Sequence, residues 1–563
     1  MKNIWLLLLL VSTLAQAQWV NDPAINTTVF DGDGYKYVPK IAEANNGNYF
    51  ISWFGTSTYN SDDNINMNIT LFDHNGNELW NDGHIILSDH PQNSWVDDYS
   101  LTTDKDGNAI LVFSDTRNED YQKDVFVYKI NQEGENLWGE DGIELTIPES
   151  GEFNPQVAVS NDNSVFVAIY TEYDNGDLNK IVIHKIDDDG NLVWGTAGMS
   201  YSSTNSSWAY PRIVANNDGG FTLGFFEETG SFPAINRNIK ALRCDDDGNS
   251  LWTSVATITD AGGVNSWDKI QMYSLKDGGA YFAWKDDRNN DNNTEVYCQY
   301  VNPDGEIAWT ENGVLLGLPY DGLQLYESIA GLNSNNELTI VWNATNSNQS
   351  QAELRFQRIS QAGELLDGDN GKTVIAMNAQ QQPTFKSIQN GDTTYVFYNS
   401  FINGSTYVTG YYLMALNTSG EQIWTSPVEI GMSDKSKPHN DVAIFNPNQA
   451  VVCWSEEVND IYSIVAQNVF LDGSMGSNET KIETVNAINE NLHFLTFKSR
   501  TNELILKDIE DNEILTVHNI QGKMIYQKQA EISQFIGEQA PGMYIGTIKS
   551  KNGNSEQFKF VIM

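Results

Sequence analysis

Aspartate, arginine and tryptophan recur at matched places in this chain, and these residue types can recognise a ligand. The segments Asp115-Thr116-Arg117-Asn118 and Asp286-Asp287-Arg288-Asn289 place a carboxylate two residues before a guanidinium. Such a fork can hydrogen-bond hydroxyls or carboxylates. Trp95 in NSWVDD, Trp208 in SSWAYP and Trp267 in NSWDKI each stand just before an apolar stretch. An indole face there could stack on a sugar, and several such loops around one face would make a polydentate site. A structural role fits the same residues. Tryptophan often packs between repeated units, and Asp-x-Arg often ties its own loop together.

Other chemistry has weaker support. DDDG at Asp187–Gly190 and at Asp245–Gly248, and DKDG at Asp104–Gly107, look like partial calcium loops. A complete loop needs oxygen ligands over about twelve residues and a closing bidentate Glu, which none of them has. The histidines show no HExxH pattern or close zinc spacing. GxSxG and Walker glycine patterns are absent. Carboxylates are abundant, but the separation a catalytic pair needs is not visible in a sequence. No residue stands out as catalytic or as a metal ligand, and no cofactor is expected. Cys244, Cys298 and Cys453 lie in or at the end of apolar strands and read as buried free thiols.

The elements that would carry these residues repeat. The series LFDHNGNELW, KINQEGENLW, KIDDDGNLVW, RCDDDGNSLW, YVNPDGEIAW, RISQAGELLD, ALNTSGEQIW and NVFLDGSM shares one frame. Its glycines are Gly76, Gly134, Gly190, Gly248, Gly305, Gly363, Gly420 and Gly473, spaced by 53 to 58 residues. Periods of this order mean propellers or solenoids. Asn302-Pro303-Asp304-Gly305 has the preferred residues of a type I turn followed by a left-handed glycine. Four residues after the Gly comes Trp80, Trp138, Trp194, Trp252, Trp309 or Trp424, with Asp367 in the sixth copy. A Trp at a fixed place after a tight turn reads as a packing wedge between units.

Each unit also holds about four apolar strands, such as PQVAVS, LVFS and DVFVYKI, and helical periodicity is nearly absent. This predicts an all-β chain with an eight-bladed β-propeller, or seven blades if the imperfect last copy is incomplete. The segment from Trp19, WVNDPAINTTV, matches the stretch after each repeat Trp and is expected to complete the last blade.

The turn and its Trp resemble the tryptophan-docking repeat of quinoprotein-type propellers, where Gly and Trp keep the same separation. They differ from the sialidase Asp-box, in which Trp comes three residues after Gly. A sialidase would also need clustered arginines, and only seven Arg precede the tail. The resemblance implies the scaffold. The adjacent-cysteine disulfide typical of quinoprotein enzymes has no counterpart here, so redox chemistry is not implied.

Charge separates the ends from the middle. The chain of 563 residues has 32 Lys+Arg against 75 Asp+Glu, a formal net charge of −43. That speaks against nucleic acid and anionic membranes as partners. From Asn491 onward the chain is neutral, with eight basic and eight acidic residues, and every Trp falls before residue 455. Residues 1–17 read as a signal peptide: Lys2, an apolar run from Ile4 to Val11, and Ala15-Gln16-Ala17 as cleavage site. The apolar run is too short for a membrane span.

The tail reads as a small β-sandwich. Its motifs NIQGKMIY, APGMYI and the closing QFKFVIM resemble the C-terminal sorting domain of the type IX secretion system. NLHFLTFKS stands where that family usually has YPNP. The resemblance implies outer-membrane translocation with the type IX machinery as partner. The expected organisation is a signal peptide (1–17), a propeller (18–486) and a sorting domain (487–563). The protein would be secreted or on the surface of a Gram-negative bacterium. Two functions fit: a non-catalytic binding propeller for a glycan or protein ligand, or a secreted carbohydrate-active enzyme using carboxylates in the central funnel.

Overall fold

In a computed structural model the described residues are 19–476, with gaps, and the strands of the tail. The gaps are 33, 57–64, 81–82, 91–98, 118–122, 146–150, 173–176, 232–233, 265–268, 318–323, 380, 402–409, 446–448 and 459–460. The tail strands lie in 494–498, 503–506, 513–519, 523–531, 533–535, 542–549 and 555–562. The expected signal peptide lies outside the described residues. Among the described residues no helix is long and apolar enough to cross a membrane.

The chain forms two compact units, Met1–Met475 and Gly476–Met563. Among the described residues the first contains eight four-stranded antiparallel sheets. Seven keep chain order. In the first, Lys36–Glu43, Tyr49–Gly55, Asn66–Phe72 and Ile85–Ser88 pair in succession. The eighth takes Asn440–Phe445, Gln449–Val458 and Ile461–Phe470 from the end of the unit and Thr27–Phe30 from its start. Thr27 pairs with Ala466 and Thr28 with Val465. The expected closure by the N-terminal segment is thus present. First strands of successive sheets adjoin one another from sheet one to sheet four and from sheet five to sheet seven, and the first strand of sheet one adjoins that of sheet eight. Sequential meanders with neighbouring first strands are a β-propeller.

The second and third strands are buried on both faces, because each sheet packs between two others. Tyr49–Gly55, Ala109–Asp115 and Leu338–Thr345 are buried along their whole length. This explains continuous runs such as AILVFSD where alternation would mark a solvated sheet.

The turn repeat does what its residues predict. Asn131 accepts the backbone N–H of Glu135 through Oδ1 at 2.8 Å, and Gly134 sits at φ +86°. Asp73, Asp245, Asn302 and Asn417 accept the corresponding N–H in their own turns. The tryptophan of one sheet then docks on the turn of the next. Trp80 Nε1 donates to Gln132 O at 2.9 Å, Trp252 to Pro303 O at 2.9 Å and Trp309 to Gln361 O at 3.0 Å. Trp19 supplies the missing wedge for the first turn, donating to His74 O at 3.0 Å. In the sixth copy Asp367 instead receives Arg358 in a fork of 3.0 and 2.9 Å, and Phe356 lies against Gly420 in place of an indole.

A polar row on the first strands knits the ring from inside. It runs through Lys40, Ser100, Gln156, Arg212, Gln271, Ser328, Lys386 and Asp441, each one residue before a core position. Ser100 Oγ donates to Pro155 O, Arg212 Nε to Ile270 O, and Lys386 Nζ to Asp441 at 2.8 Å.

The second unit has two sheets. One joins Phe494–Lys498, Glu503–Leu506 and Ser533–Phe535, and the other joins Met524–Gln529, Ile514–Asn519, Gly542–Lys549 and Ser555–Ile562. Leu504 and Leu506 of the first share a core with Leu515, Val517 and Ile548 of the second.

Candidate functional site

In an antiparallel meander, the entry to the first strand and the connection from second to third strand lie at the same end. The described fork residues Asp115, Arg117, Asp286 and Arg288 lie at that end of sheets two and five. Asp115 and Asp286 close the second strands of sheets two and five. A carboxylate at the end of a strand can accept the backbone N–H two residues on, and both do so: Arg117 N donates to Asp115 at 3.1 Å and Arg288 N to Asp286 at 3.2 Å. That local turn brings the arginine side chain back over its own sheet.

The two forks are closed. Arg117 Nε lies 3.0 Å from both Asp115 oxygens, and its guanidinium sits 3.5 Å from the centre of the Phe126 ring. Its remaining donors go to Asp141 O and the Tyr128 hydroxyl. Burial opposes the charge, but the Asp115 and Tyr128 bonds outweigh it and hold the Arg117 pKa above its ordinary value. Arg288 repeats the pattern, with Nε to Asp286 at 2.8 Å, Nη2 at 2.7 Å, and the Tyr297 ring at 3.4 Å. Trp284 Nε1 donates to the same carboxylate at 2.8 Å. Asp115 is brought to Arg117, and Asp286 to Arg288, each pair tying its own loop.

The same register position carries an acid in two further sheets, where the sequence pattern did not single it out. Glu227 of sheet four takes Ser206 at 3.1 Å and Lys240 at 3.4 Å. Glu456 of sheet eight accepts Asn26 at 2.7 Å, Ser433 at 2.8 Å, Lys435 at 2.8 Å and Trp454 Nε1 at 3.3 Å. Burial raises the Glu456 pKa, but Lys435 and Ser433 more than offset it, so the carboxyl lies below its ordinary range. Lys437, fully buried, donates to Ser433 O and Lys435 O, and burial brings its ammonium down to about 8. In sheets one and six the position is Gly55 and Ala344. There the buried indoles Trp53 and Trp342, two residues earlier, find no partner for their Nε1–H among the described residues. The signal that could have found all four acids is the aromatic two residues earlier, as in Trp284-Lys285-Asp286 and Trp454-Ser455-Glu456.

The tryptophans fare differently. Trp95 and Trp267 lie outside the described residues. Trp208 is not in a loop before its strand but inside it, in Ser207–Ala215. It is 7% exposed and packs on Phe225 with ring centres 4.2 Å apart. The bulge that permits this, between Ala209 and Arg212, arises from Pro211, which cannot donate to the ladder.

The aspartate-rich turns spend their oxygens locally. Asp187 accepts Asn191 N at 2.7 Å and Asp245 accepts Asn249 N at 2.8 Å. Asp104 holds Asn108 N at 2.8 Å and Lys129 Nζ at 2.9 Å. Asp188 and Asp246 pair with Lys129 and Lys185 of the preceding sheet. Among the described residues no three acidic, His or Cys side chains converge as a metal site. The three cysteines are buried and unpaired, and burial raises the thiol pKa of each, Cys244 to about 11.

No family model and no curated protein matches the chain. Among solved structures it is similar to the Dos1 propeller, with TM-score 0.45 and 9% identity over 80% of this chain and 96% of that one. It is also similar to the polysaccharide lyase Uly1, with TM-score 0.43 and 11% identity over 68% and 92% of the two chains. An ulvan lyase gives TM-score 0.42 and 12% identity over 82% and 97%.

Proposed function

We propose that the chain is an exported, eight-bladed, non-catalytic binding propeller whose ligand, a glycan or a protein, sits on the loop end of the ring. The observation that carries this reading is the state of the strand-end acids. Each described one, Asp115, Glu227, Asp286 and Glu456, is matched to a cation of its own sheet. Such pairs hold loops in one conformation, which lowers the ordering cost of binding. A general acid needs a carboxyl whose pKa is raised, and Glu456 is shifted the other way. The residues proposed to face the ligand are Trp95 and Trp267, which precede the first strands of sheets two and five in the sequence. Trp208 serves packing.

The tail resemblance supports export through the type IX machinery, with the leader at residues 1–17 as the first signal. The carbohydrate-active enzyme is the second reading, and the described strand-end acids, each paired with a cation, do not favour it.

The test is a glycan array on the full mature chain, run beside Trp95→Ala and Trp267→Ala. Binding to a glycan class, lost in the variants, is expected. Unchanged binding in both variants would remove this face, and turnover of any bound glycan would replace the binder with the enzyme. Truncation after residue 490 should abolish surface delivery.

A further inference from the structure

Sheets two, five and seven share one row of side chains across their second, third and fourth strands. In sheet two it is Phe113, Phe126 and Glu144. In sheet five it is Trp284, Tyr297 and Leu315. In sheet seven it is Tyr398, Tyr412 and Glu429. Residues directly opposite on adjacent strands point to the same face, about 5 Å apart. Each row is therefore one continuous strip.

In sheets two and five the middle ring is capped by an arginine from its own loop. Arg117 lies 3.5 Å from the centre of Phe126, and Arg288 lies 3.4 Å from the centre of Tyr297. Sheet seven has the rings and no cap. Ser400 replaces the strand-end aspartate, and Ile402 stands in sequence where Arg117 and Arg288 stand. The Tyr398 and Tyr412 rings stack at 5.2 Å and 12°, and among the described residues no cation lies over Tyr412 and none pairs with Glu429.

That strip borders a cavity of about 480 Å³. Its other walls are Pro23 of the N-terminal segment, Ser426, Pro427, Val428 and Met475, apolar apart from the one serine. A volume in this range suits a small ligand or one anchoring side chain.

We propose that this cavity takes a guanidinium supplied by a partner polypeptide, an arginine side chain stacked on Tyr412 and paired with Glu429. In sheet two the same aromatic–aromatic–Glu row already carries a guanidinium on its middle ring, held there by Asp115. Arginine stacks on aromatic faces more readily than any other cation, and its fork suits a carboxylate. The net charge of −43 draws a basic segment to the surface. This site lies at the same strand end as the forks, in sheet seven, and does not rest on Trp95 or Trp267.

The test uses the full chain and two synthetic hexapeptides that differ only in arginine against citrulline, its neutral isostere, read by calorimetry. The arginine peptide should bind at least tenfold more tightly. Glu429→Gln should reduce arginine binding about tenfold, and salt should weaken it. The double variant Ser400→Asp, Ile402→Arg rebuilds the fork of sheets two and five and should fill the cavity from within, abolishing binding. Trp95→Ala and Trp267→Ala should leave the arginine peptide unaffected. Equal binding of the two peptides, no binding of either, or an unchanged affinity in both Glu429→Gln and the double variant would overturn the proposal. So would a neutral disaccharide that displaces the arginine peptide while binding Glu429→Gln equally well.

Discussion

His184 lies on a third strand, Ile181–Ile186, with no exposed surface and, among the described residues, no partner for either ring nitrogen. Burial brings its pKa down to about 4. An unfolded chain takes up the proton near pH 6.5, so the folded state loses stability as pH falls from there towards 4. The shift corresponds to about 3 kcal/mol at the acid end of that window. His184→Leu should remove this slope. Urea unfolding at pH 7 and pH 4 is expected to show the variant gaining about 3 kcal/mol on the parent between the two. An equal pH dependence in both proteins would refute the assignment. At this scale the sequence was partly legible. Asp115 and Arg117 are two residues apart, so their contact could be read locally. His184 looked like any strand residue, because what isolates it are apolar neighbours from other strands. The Tyr398, Tyr412 and Glu429 strip was hidden for a similar reason, since strand pairing alone brings these residues together.

The turn and its docked tryptophan are the repeating element, and two glycines of one unit separate its two demands. Gly363 sits at φ +84°, and a Cβ there would come 2.7 Å from Trp309 Cγ. Gly368 has nearly the same φ, +83°, with nothing within 4 Å. Gly368→Ala should therefore cost only the left-handed strain, about 1 kcal/mol. Gly363→Ala adds overpacking against the indole and should cost about 3 kcal/mol in all. Thermal unfolding of the two variants reads the difference, and equal losses would mean that the wedge yields freely. This element was the most legible part of the chain, because every residue that defines the turn lies within ten positions. What the repeat concealed is the traffic between units. Lys129 and Lys185 reach the aspartates of the following turn, and Arg358 with Asp367 compensates for the missing sixth tryptophan.

For the whole molecule the decisive feature is the eighth sheet. Thr27–Phe30 covers the edge of Ile461–Phe470, and Asn26 reaches Glu456 at 2.7 Å. Removing residues 18–30 should leave that edge unpaired, lower the unfolding midpoint and produce oligomers by edge pairing. Size-exclusion chromatography beside urea unfolding checks both, and a monomer of parental stability would show that the last sheet stands without its borrowed strand. Closure was legible because Trp19 repeats the docking residue before any turn of its own. The closure also imposes an order in time. Gln467 Nε2 donates to Val20 O across 447 residues of sequence, so a segment made well before the last repeat is among the last to find its place. Contacts of such separation form slowly. Until the final repeat arrives, the segment around Val20 stays without its partner strand, so the ring closes only once the last repeat is in place.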